Sequence, residues 1–178
     1  MKNTLIITTL ILLCAASCKK DKVSEDQLPP ATQTGANTFG CLVNGKVFVP
    51  RGYGTTGRSN PHVLYEYDLQ GQPFLSINAS IFDSRRESIG GISIGFRYLN
   101  NVGGYSLSDS FSIAFGGDAV IENCGNASWD SNVYFRGGGY ITKLDVPNNI
   151  ISGTFACVFK NSFCDTVRIT DGRFDIKF

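Results

Sequence analysis

The chain has 178 residues, and its 16 basic and 15 acidic side chains give a formal net charge of only +1. From residue 38 onward the count is 12 basic to 12 acidic residues. Nucleic-acid binding domains carry a clustered basic excess, so this neutral balance argues against nucleic acid as a partner. The length suits a single domain with a sizeable core.

The first seventeen residues have the pattern of a signal peptide. Lys2 precedes an apolar run from Leu5 to Leu13, and small residues follow. The run is too short to cross a bilayer, which takes about 20 residues. We therefore predict a cleavable signal peptide over residues 1–17.

The cleavage site resembles a lipobox, the recognition site of the lipoprotein signal peptidase. Ala15-Ala16-Ser17 precede Cys18, with Ala15 at the position where leucine is more common. Cys14 is the competing candidate, but the bulky Leu13 stands before it. The sequence therefore predicts a lipid on Cys18 that anchors the protein in the outer membrane, and it leaves open whether the domain faces the periplasm or the cell surface.

Residues 18–37 are polar, charged and proline-containing, and they show no periodicity. Such a segment buries too little apolar surface to offset the entropy of ordering. We predict a disordered tether over 18–37 and one folded domain over 38–178.

The domain reads as strands and turns throughout. Leu75, Ile77, Ala79 and Ile81 alternate with polar residues, and the run Ile92, Ile94, Phe96 and Tyr98 repeats that period of two. We predict strands at 38–43, 46–49, 63–68, 74–82, 89–99, 105–108, 111–115, 132–136, 139–145, 149–159, 164–170 and 173–178. This pattern predicts an all-β fold, an antiparallel β-sandwich, with a small barrel, closed or open, as the alternative.

Asp171-Gly172 stands between two of these predicted strands. Both residue types accept the positive φ angles of a two-residue hairpin turn, so we predict a tight hairpin there.

Four cysteines follow the lipidated one: Cys41, Cys124, Cys157 and Cys164. An exported domain passes through an oxidising compartment, so up to two disulfides can form, in three connectivities. Cys157 and Cys164 are close in sequence, but alternation places them on opposite faces unless a bulge shifts the register. The connectivity, and the alternative of buried free thiols, stay open.

The two ends of the domain carry a resemblance. Thr-Phe-Gly-Cys-Leu-Val-Asn-Gly-Lys at 38–46 and the segments 141–145, 149–155 and 164–175, which include Ile-Thr-Asp-Gly-Arg-Phe-Asp, resemble a family of uncharacterised Bacteroidetes lipoproteins. The likeness is weak between about residues 50 and 135. Because that family is a domain of unknown function, the resemblance implies an address and an all-β fold, and it supplies no catalytic residues.

The same motifs have structural explanations. Asp145 is expected to cap the turn at 147–149 through its side chain, as Asx turns do. Gly153 inside a strand indicates a bulge or a close packing contact. Arg173 and Asp175 are expected on the polar face of the last strand, where cross-strand ion pairs contribute little.

The sequence offers no catalytic or metal-binding constellation. His62 is the only histidine, and we interpret it as a surface-loop residue. The cysteines lack zinc-site spacing, and Asp130-Ser131-Asn132 and Asp171-Gly172 lack the further acids of a calcium loop. Gly137 to Gly139 open no helix and so form no phosphate loop. We expect no enzyme activity and no cofactor.

Aromatic residues are the remaining indication of binding. Several of them share a strand face or fall in or near predicted turns: Tyr53, Tyr65, Tyr67, Trp129, Tyr134 and Tyr140. The first hypothesis is a non-catalytic, lipid-anchored binding or structural β-domain with a protein or glycan partner. The second is a carbohydrate-binding module with exposed coplanar rings on a groove. The third is a carrier of small apolar ligands, which requires an interior cavity of roughly 300 Å³.

Overall fold

The computed structural model describes residues 27–107, 109–121, 134–160 and 166–178. Within these ranges the chain forms ten strands and one short 3-10 turn, Val146–Asn148. The strands are β1 Thr38–Val43, β2 Lys46–Phe48, β3 His62–Tyr67, β4 Pro73–Phe82, β5 Ser88–Arg97, β6 Gly103–Ser106, β7 Phe111–Gly116, β8 Tyr134–Asp145, β9 Ile150–Lys160 and β10 Val167–Lys177.

The strands form two antiparallel sheets that pack face to face. Sheet A has the order β2-β1-β10-β9-β8-β6, and sheet B has the order β3-β4-β5-β7. Phe96 of sheet B lies 5.7 Å from Phe174 of sheet A, and Phe115 lies 5.1 Å from Phe159, measured between ring centroids. This architecture confirms the predicted β-sandwich, and the described strands do not form the alternative barrel.

The alternating residues predicted for the core are buried on the inner faces. On β4 the buried residues include Leu75, Ile77, Ala79 and Ile81. The inner residues of β5 lie beside them in the same sheet. Tyr98 departs from the pattern, because β5 ends at Arg97 and the Tyr98 side chain is 54% exposed. Its backbone has a φ of 56°, outside the extended region, so the period of two no longer applies there.

The predicted hairpin at Asp171-Gly172 is wrong. β10 continues through these residues, and its pairing with β9 skips from Ile169↔Cys157 to Gly172↔Phe155. β10 therefore carries one extra residue, a β-bulge, and Asp171 has the positive φ (53°) that the sequence indicated. The bulge also explains why odd-numbered residues face the core before it and even-numbered residues after it.

Strand β8 also replaces two predicted elements. The segments predicted at 132–136 and 139–145 belong to one strand from Tyr134 to Asp145, and residues 132 and 133 lie outside the described ranges. Gly139 stands at its centre, where a Cβ atom would lie 2.4 Å from the Phe96 ring. Glycine at this position lets the two sheets approach each other closely.

Among the described residues, no helix is long and apolar enough to cross a membrane.

Candidate functional site

Residues 27–37, here called the strap, lie on the outer face of sheet A. They fall within the predicted tether, but their contacts with the sandwich order them, and residues 18–26 lie outside the described ranges. Pro29 is buried, and a Cβ atom on Gly40 of β1 would lie 2.7 Å from its Cδ. Farther along the strap, the Gln33 carbonyl accepts a hydrogen bond from Lys143 Nζ at 3.0 Å. The folded unit therefore begins by residue 27 and not at 38.

Asp175 fastens the strap to the sheet. Its carboxylate accepts hydrogen bonds from both hydroxyls and three backbone amides of the strap, at 2.6 Å from Thr32 Oγ1, 2.9 Å from Thr34 N, 3.2 Å from Thr34 Oγ1, 2.8 Å from Gly35 N and 3.2 Å from Ala36 N. Ser152 Oγ on the neighbouring strand β9 donates a further bond at 2.8 Å. Asp175 is only 1% exposed.

This environment corrects the expectation that Asp175 forms a surface ion pair with a neighbouring strand. The residue does lie on the outer face of β10, but the strap covers it. Burial alone would raise the pKa of Asp175, and the hydrogen bonds donated by Thr32, Thr34, Gly35 and Ser152 outweigh it and hold the pKa well below its usual range. The carboxylate is therefore charged at neutral pH and acts as a structural clasp. Its neighbour Arg173 donates from Nε to the Asp171 carbonyl at 3.2 Å.

A groove runs beside the strap across the outer face of sheet A. Its volume is about 590 Å³, which lies within the range of ligand-binding clefts. The lining residues come from β8, β9, β10 and the strap: Ala31, Gly138, Gly139, Tyr140, Thr154, Phe155, Ala156, Asp171, Gly172 and Arg173.

The strand register explains why this part of the sheet is hollow. Gly138 of β8 lies directly opposite Ala156 of β9, so the outward side chains at the centre are a hydrogen atom and a methyl group. On the other side of Ala156 the bulge of β10 opposes it with two residues, Thr170 and Asp171. Larger side chains stand at either end of this floor, which gives the groove its depth.

One end of the groove is closed by a row of three outward residues. Tyr140 of β8 pairs with Thr154 of β9, and Thr154 pairs with Arg173 of β10. The Tyr140 side chain is 51% exposed, so its ring is accessible from solvent. Arg173 is half-buried, and Ala31 of the strap lines the same groove.

A second row lies beyond the groove floor, and it carries two more arginines. Arg136 of β8 and Arg168 of β10 both pair with Val158, and both side chains are exposed. Over the described residues, neither of them, nor Arg173, forms an ion pair with an acid. The groove therefore lies between arginines, although the domain as a whole is neutral.

Part of this site was visible in the sequence and part was not. Tyr140 and Arg173 were singled out for other reasons, as a residue near a turn and as a strand residue. Arg136, Arg168 and Thr154 were missed. Alternation could have placed two of them on the outer face, because successive residues of a strand point to opposite faces. Arg136 follows Phe135 and Arg168 precedes Ile169, and both of these neighbours pack into the core.

The other predicted aromatic residues do not join Tyr140. Tyr53 and Tyr67 are exposed elsewhere, and Tyr65 packs against Phe178 with ring centroids 4.5 Å apart. Burial, together with a hydrogen bond to Tyr67, raises the pKa of Tyr65 to about 12. Trp129 lies outside the described ranges, and of Tyr134 only the backbone is described.

The two described cysteines are buried free thiols. Cys41 lies on β1 and Cys157 on β9, with β10 between them, which separates their strands by about 9.5 Å. A disulfide requires Cα atoms within about 7 Å, so these two cannot be joined. Burial raises the pKa of Cys157 to about 12 and also raises that of Cys41. Cys124, Cys164 and the predicted lipidation site Cys18 lie outside the described ranges.

Among the described residues, the hydrogen-bonding partner of the single histidine is an arginine and not a nucleophile. His62 begins β3, and its Nε2 lies 3.3 Å from an Arg58 guanidinium nitrogen. The pattern Gly-x-Ser-x-Gly occurs at 91–95, but it lies within the extended strand β5, whereas hydrolases place it at a strand-to-helix turn. Its Ser93 donates to Asn78, and Asn78 stands between Ser93 and His62 in the sheet.

The remaining predicted motifs have structural roles. Asp145 accepts hydrogen bonds from the backbone and side chain of Asn148, which confirms the predicted cap. Gly153 makes the predicted close contact, because a Cβ atom there would lie 2.5 Å from the Tyr140 carbonyl oxygen. Asp130-Ser131-Asn132 lies outside the described ranges, and no three His, Cys, Asp or Glu side chains converge within them.

A smaller cavity of about 320 Å³ lies between the strap and the segment that follows β2. Asn60 borders it, but this side chain is occupied in holding the backbone together. It donates to the carbonyls of Gly52 and Ser80 and accepts from the Ser80 amide. We therefore regard the groove as the candidate site.

Comparison of the chain with protein-family models, with curated proteins and with solved structures finds no match. The resemblance to a lipoprotein family stays a prediction.

Proposed function

We propose that this protein is a lipid-anchored envelope lipoprotein whose β-sandwich is a non-catalytic binding domain. The observation that carries the binding proposal is the groove on sheet A, which is recessed, accessible and bordered by polar side chains. Sequence pattern carries the anchoring proposal, through the signal peptide and the lipobox at Cys18. The space between the sheets is filled by aromatic and aliphatic side chains, so the interior offers no support for the carrier of apolar ligands.

The strap limits how far the domain can lie from such an anchor. If residues 18–37 were all flexible, the domain could move far from the bilayer. Because residue 27 already belongs to the folded unit, only nine peptide links separate it from Cys18, and they reach at most about 30 Å. The anchor would therefore hold the sandwich close to the membrane surface.

The anchoring proposal is tested by substituting the cysteines of the leader. We expect Cys18→Ala to abolish acylation of the mature N-terminus and to prevent release of the signal peptide, as seen by mass spectrometry. Cys14→Ala is the matched control, since it removes the competing cysteine and is expected to leave the lipidated mature protein unchanged. An acylated mature chain in the Cys18→Ala variant would contradict the proposal.

The binding proposal is tested by filling the groove. Ala156→Trp places a large ring on the groove floor, whereas Ser93→Trp places the same ring on the outer face of sheet B. We expect probes captured by the detergent-solubilised full-length protein on a glycan array to be lost only with Ala156→Trp. Capture that survives Ala156→Trp would place binding elsewhere.

A carbohydrate-binding module is the second candidate, and the exposed ring of Tyr140 favours it. A stacked platform of two or three rings is not what lines the groove, because Tyr140 is its only aromatic side chain among the described residues apart from Phe155 on the inner face. Recognition of a sugar here would depend on the arginines as well as on the ring.

A further inference from the structure

We propose that the groove binds an acidic oligosaccharide, a chain of sugars that carry carboxylate groups. This inference rests on the proposed binding function of the groove and adds the class of ligand. It follows from the position of three arginines around the groove, from the absence of acidic partners for them among the described residues, and from the other polar groups of the groove.

The positions follow from the register of β8, β9 and β10. Tyr140 and Arg173 stand at the two ends of one row, and Arg136 and Arg168 stand at the two ends of the other. Within a row, the outer strands are about 9.5 Å apart, and four residues along β8 separate the rows by about 13 Å. Three corners of this rectangle are arginine and one is tyrosine, with Ala156 at its centre and Gly138 at the middle of its β8 edge.

The charges in this rectangle favour an anion with several carboxylates. A guanidinium binds a carboxylate through two parallel hydrogen bonds, and it remains charged at any physiological pH. Arg136, Arg168 and Arg173 have no ion-pair partner among the described residues, so binding an anion need not break an existing bridge. Among the described residues, Asp171 is the one exposed acid that lines the groove.

The other polar groups of the groove favour a sugar over other polyanions. Thr154 offers a hydroxyl at one end of the groove, and the Asp171 carboxylate can accept hydrogen bonds from hydroxyl groups, which sugars have and phosphodiester linkages lack. The Tyr140 ring offers a flat apolar surface for the C–H face of a pyranose. A bilayer surface is broad and flat, whereas this floor is recessed between side chains and the strap.

The test is calorimetric titration of the detergent-solubilised lipoprotein with sodium tetragalacturonate, a linear oligomer in which each sugar carries a carboxylate. We expect binding that weakens as sodium chloride is added. Arg136→Gln and Arg173→Gln should each raise the Kd about tenfold or more, and Tyr140→Ala several-fold. Arg97→Gln is the matched control, since Arg97 is an exposed arginine at the end of β5 in sheet B, and it should leave the Kd unchanged.

Thermal unfolding of each variant checks that the fold is intact. If Arg173→Gln disturbs the bulge, Arg136→Gln alone tests the contribution of the arginines to binding.

Maltotetraose, a neutral oligomer of the same length, is expected not to bind. If it binds and Tyr140→Ala abolishes that binding, the acidic ligand is wrong while the groove remains a binding site. Arginine-dependent binding to phosphatidylglycerol vesicles or to single-stranded DNA, with none to tetragalacturonate, would assign the groove to another polyanion and overturn the inference. The absence of any tetragalacturonate binding overturns the inference as well. The proposed binding function is a separate claim, and it fails only if the groove-filling change Ala156→Trp leaves the binding of every captured ligand unchanged.

Discussion

The outer face of sheet A and the outer face of sheet B are built from different kinds of side chain. Sheet A presents arginines, a tyrosine, a groove and a covering strap. The middle parts of β4, β5 and β7 in sheet B present small uncharged residues: Ser76, Asn78, Ser80, Gly91, Ser93, Gly95, Ser112 and Ala114. The inner faces of both sheets are apolar, so packing of the core does not account for this difference between the outer faces.

The polar groups on the two faces are also satisfied differently. On sheet B, Ser93 donates to Asn78, and Asn78 donates to Ser76, so neighbouring side chains bond to one another. On sheet A, the strap donates to Asp175 from more than 130 residues away, while the arginines have no acidic partner among the described residues. Sheet A therefore combines a long-range structural contact with side chains available to a ligand, and the following changes test that contrast.

The largest effect is expected from removing the charge that holds the strap. Asp175→Asn keeps the shape of the side chain but turns an NH2 group toward one of its two sets of donors, either Thr32, Thr34 and Ala36 or Gly35 and Ser152. We expect the free energy of unfolding in urea to fall by about 3 kcal/mol, because several partly buried donors lose a charged acceptor at once. Ser93→Ala removes one polar contact from sheet B and should cost about 1 kcal/mol. Equal losses would show that the strap is not fastened as described.

A smaller effect is expected from glycines on the two sheets. Gly139→Ala forces a methyl group toward the Phe96 ring inside the sandwich, and we expect a loss of about 2 kcal/mol from overpacking. Gly95→Ala places its methyl group 2.6 Å from the Ser112 hydroxyl on the outer face of sheet B, and that side chain can rotate away. It should therefore change stability by no more than about 0.5 kcal/mol, as measured by urea unfolding. A loss for Gly95→Ala as large as that for Gly139→Ala would contradict this difference.

Alternation was enough to predict the inner faces, because a strand residue faces the core or solvent by parity alone. Ile77 and Ile94 were each predicted on the apolar face of their strand, and they pair with each other in the core. The bulge at Asp171 was beyond such reasoning, since a positive φ suits a hairpin turn and a bulge equally well. Only pairing with β9 and β1 distinguishes them, and that pairing joins residues far apart in sequence.

The candidate site was less predictable for the same physical reason. Asp175 was correctly expected on the outer face, but composition gave no sign that a polar segment near the N-terminus would cover it. The arginines come together only through the order of β8, β9 and β10, and the sequence shows each of them as a separate exposed residue.

The smallest effect is a pH dependence that belongs to sheet A alone. The pKa of Asp175 is lowered in the folded state, so its stabilising contribution is fully present above its ordinary pKa of 3.8 and is lost as pH falls through and below that value. We expect the free energy of unfolding to decline from about pH 5 downward more steeply in the wild type than in Asp175→Asn. Asp83 and Asp145 also have lowered pKa values, but they are present in both proteins. The difference between the two curves therefore reports the contribution of the Asp175 carboxylate alone. The gap between the curves at pH 7 should narrow to about half or less near pH 2, since the Asp175 carboxyl group of the unfolded chain takes up a proton below pH 3.8 and this favours unfolding in the wild type alone. Parallel curves would mean that Asp175 holds the strap through its shape and not through its charge.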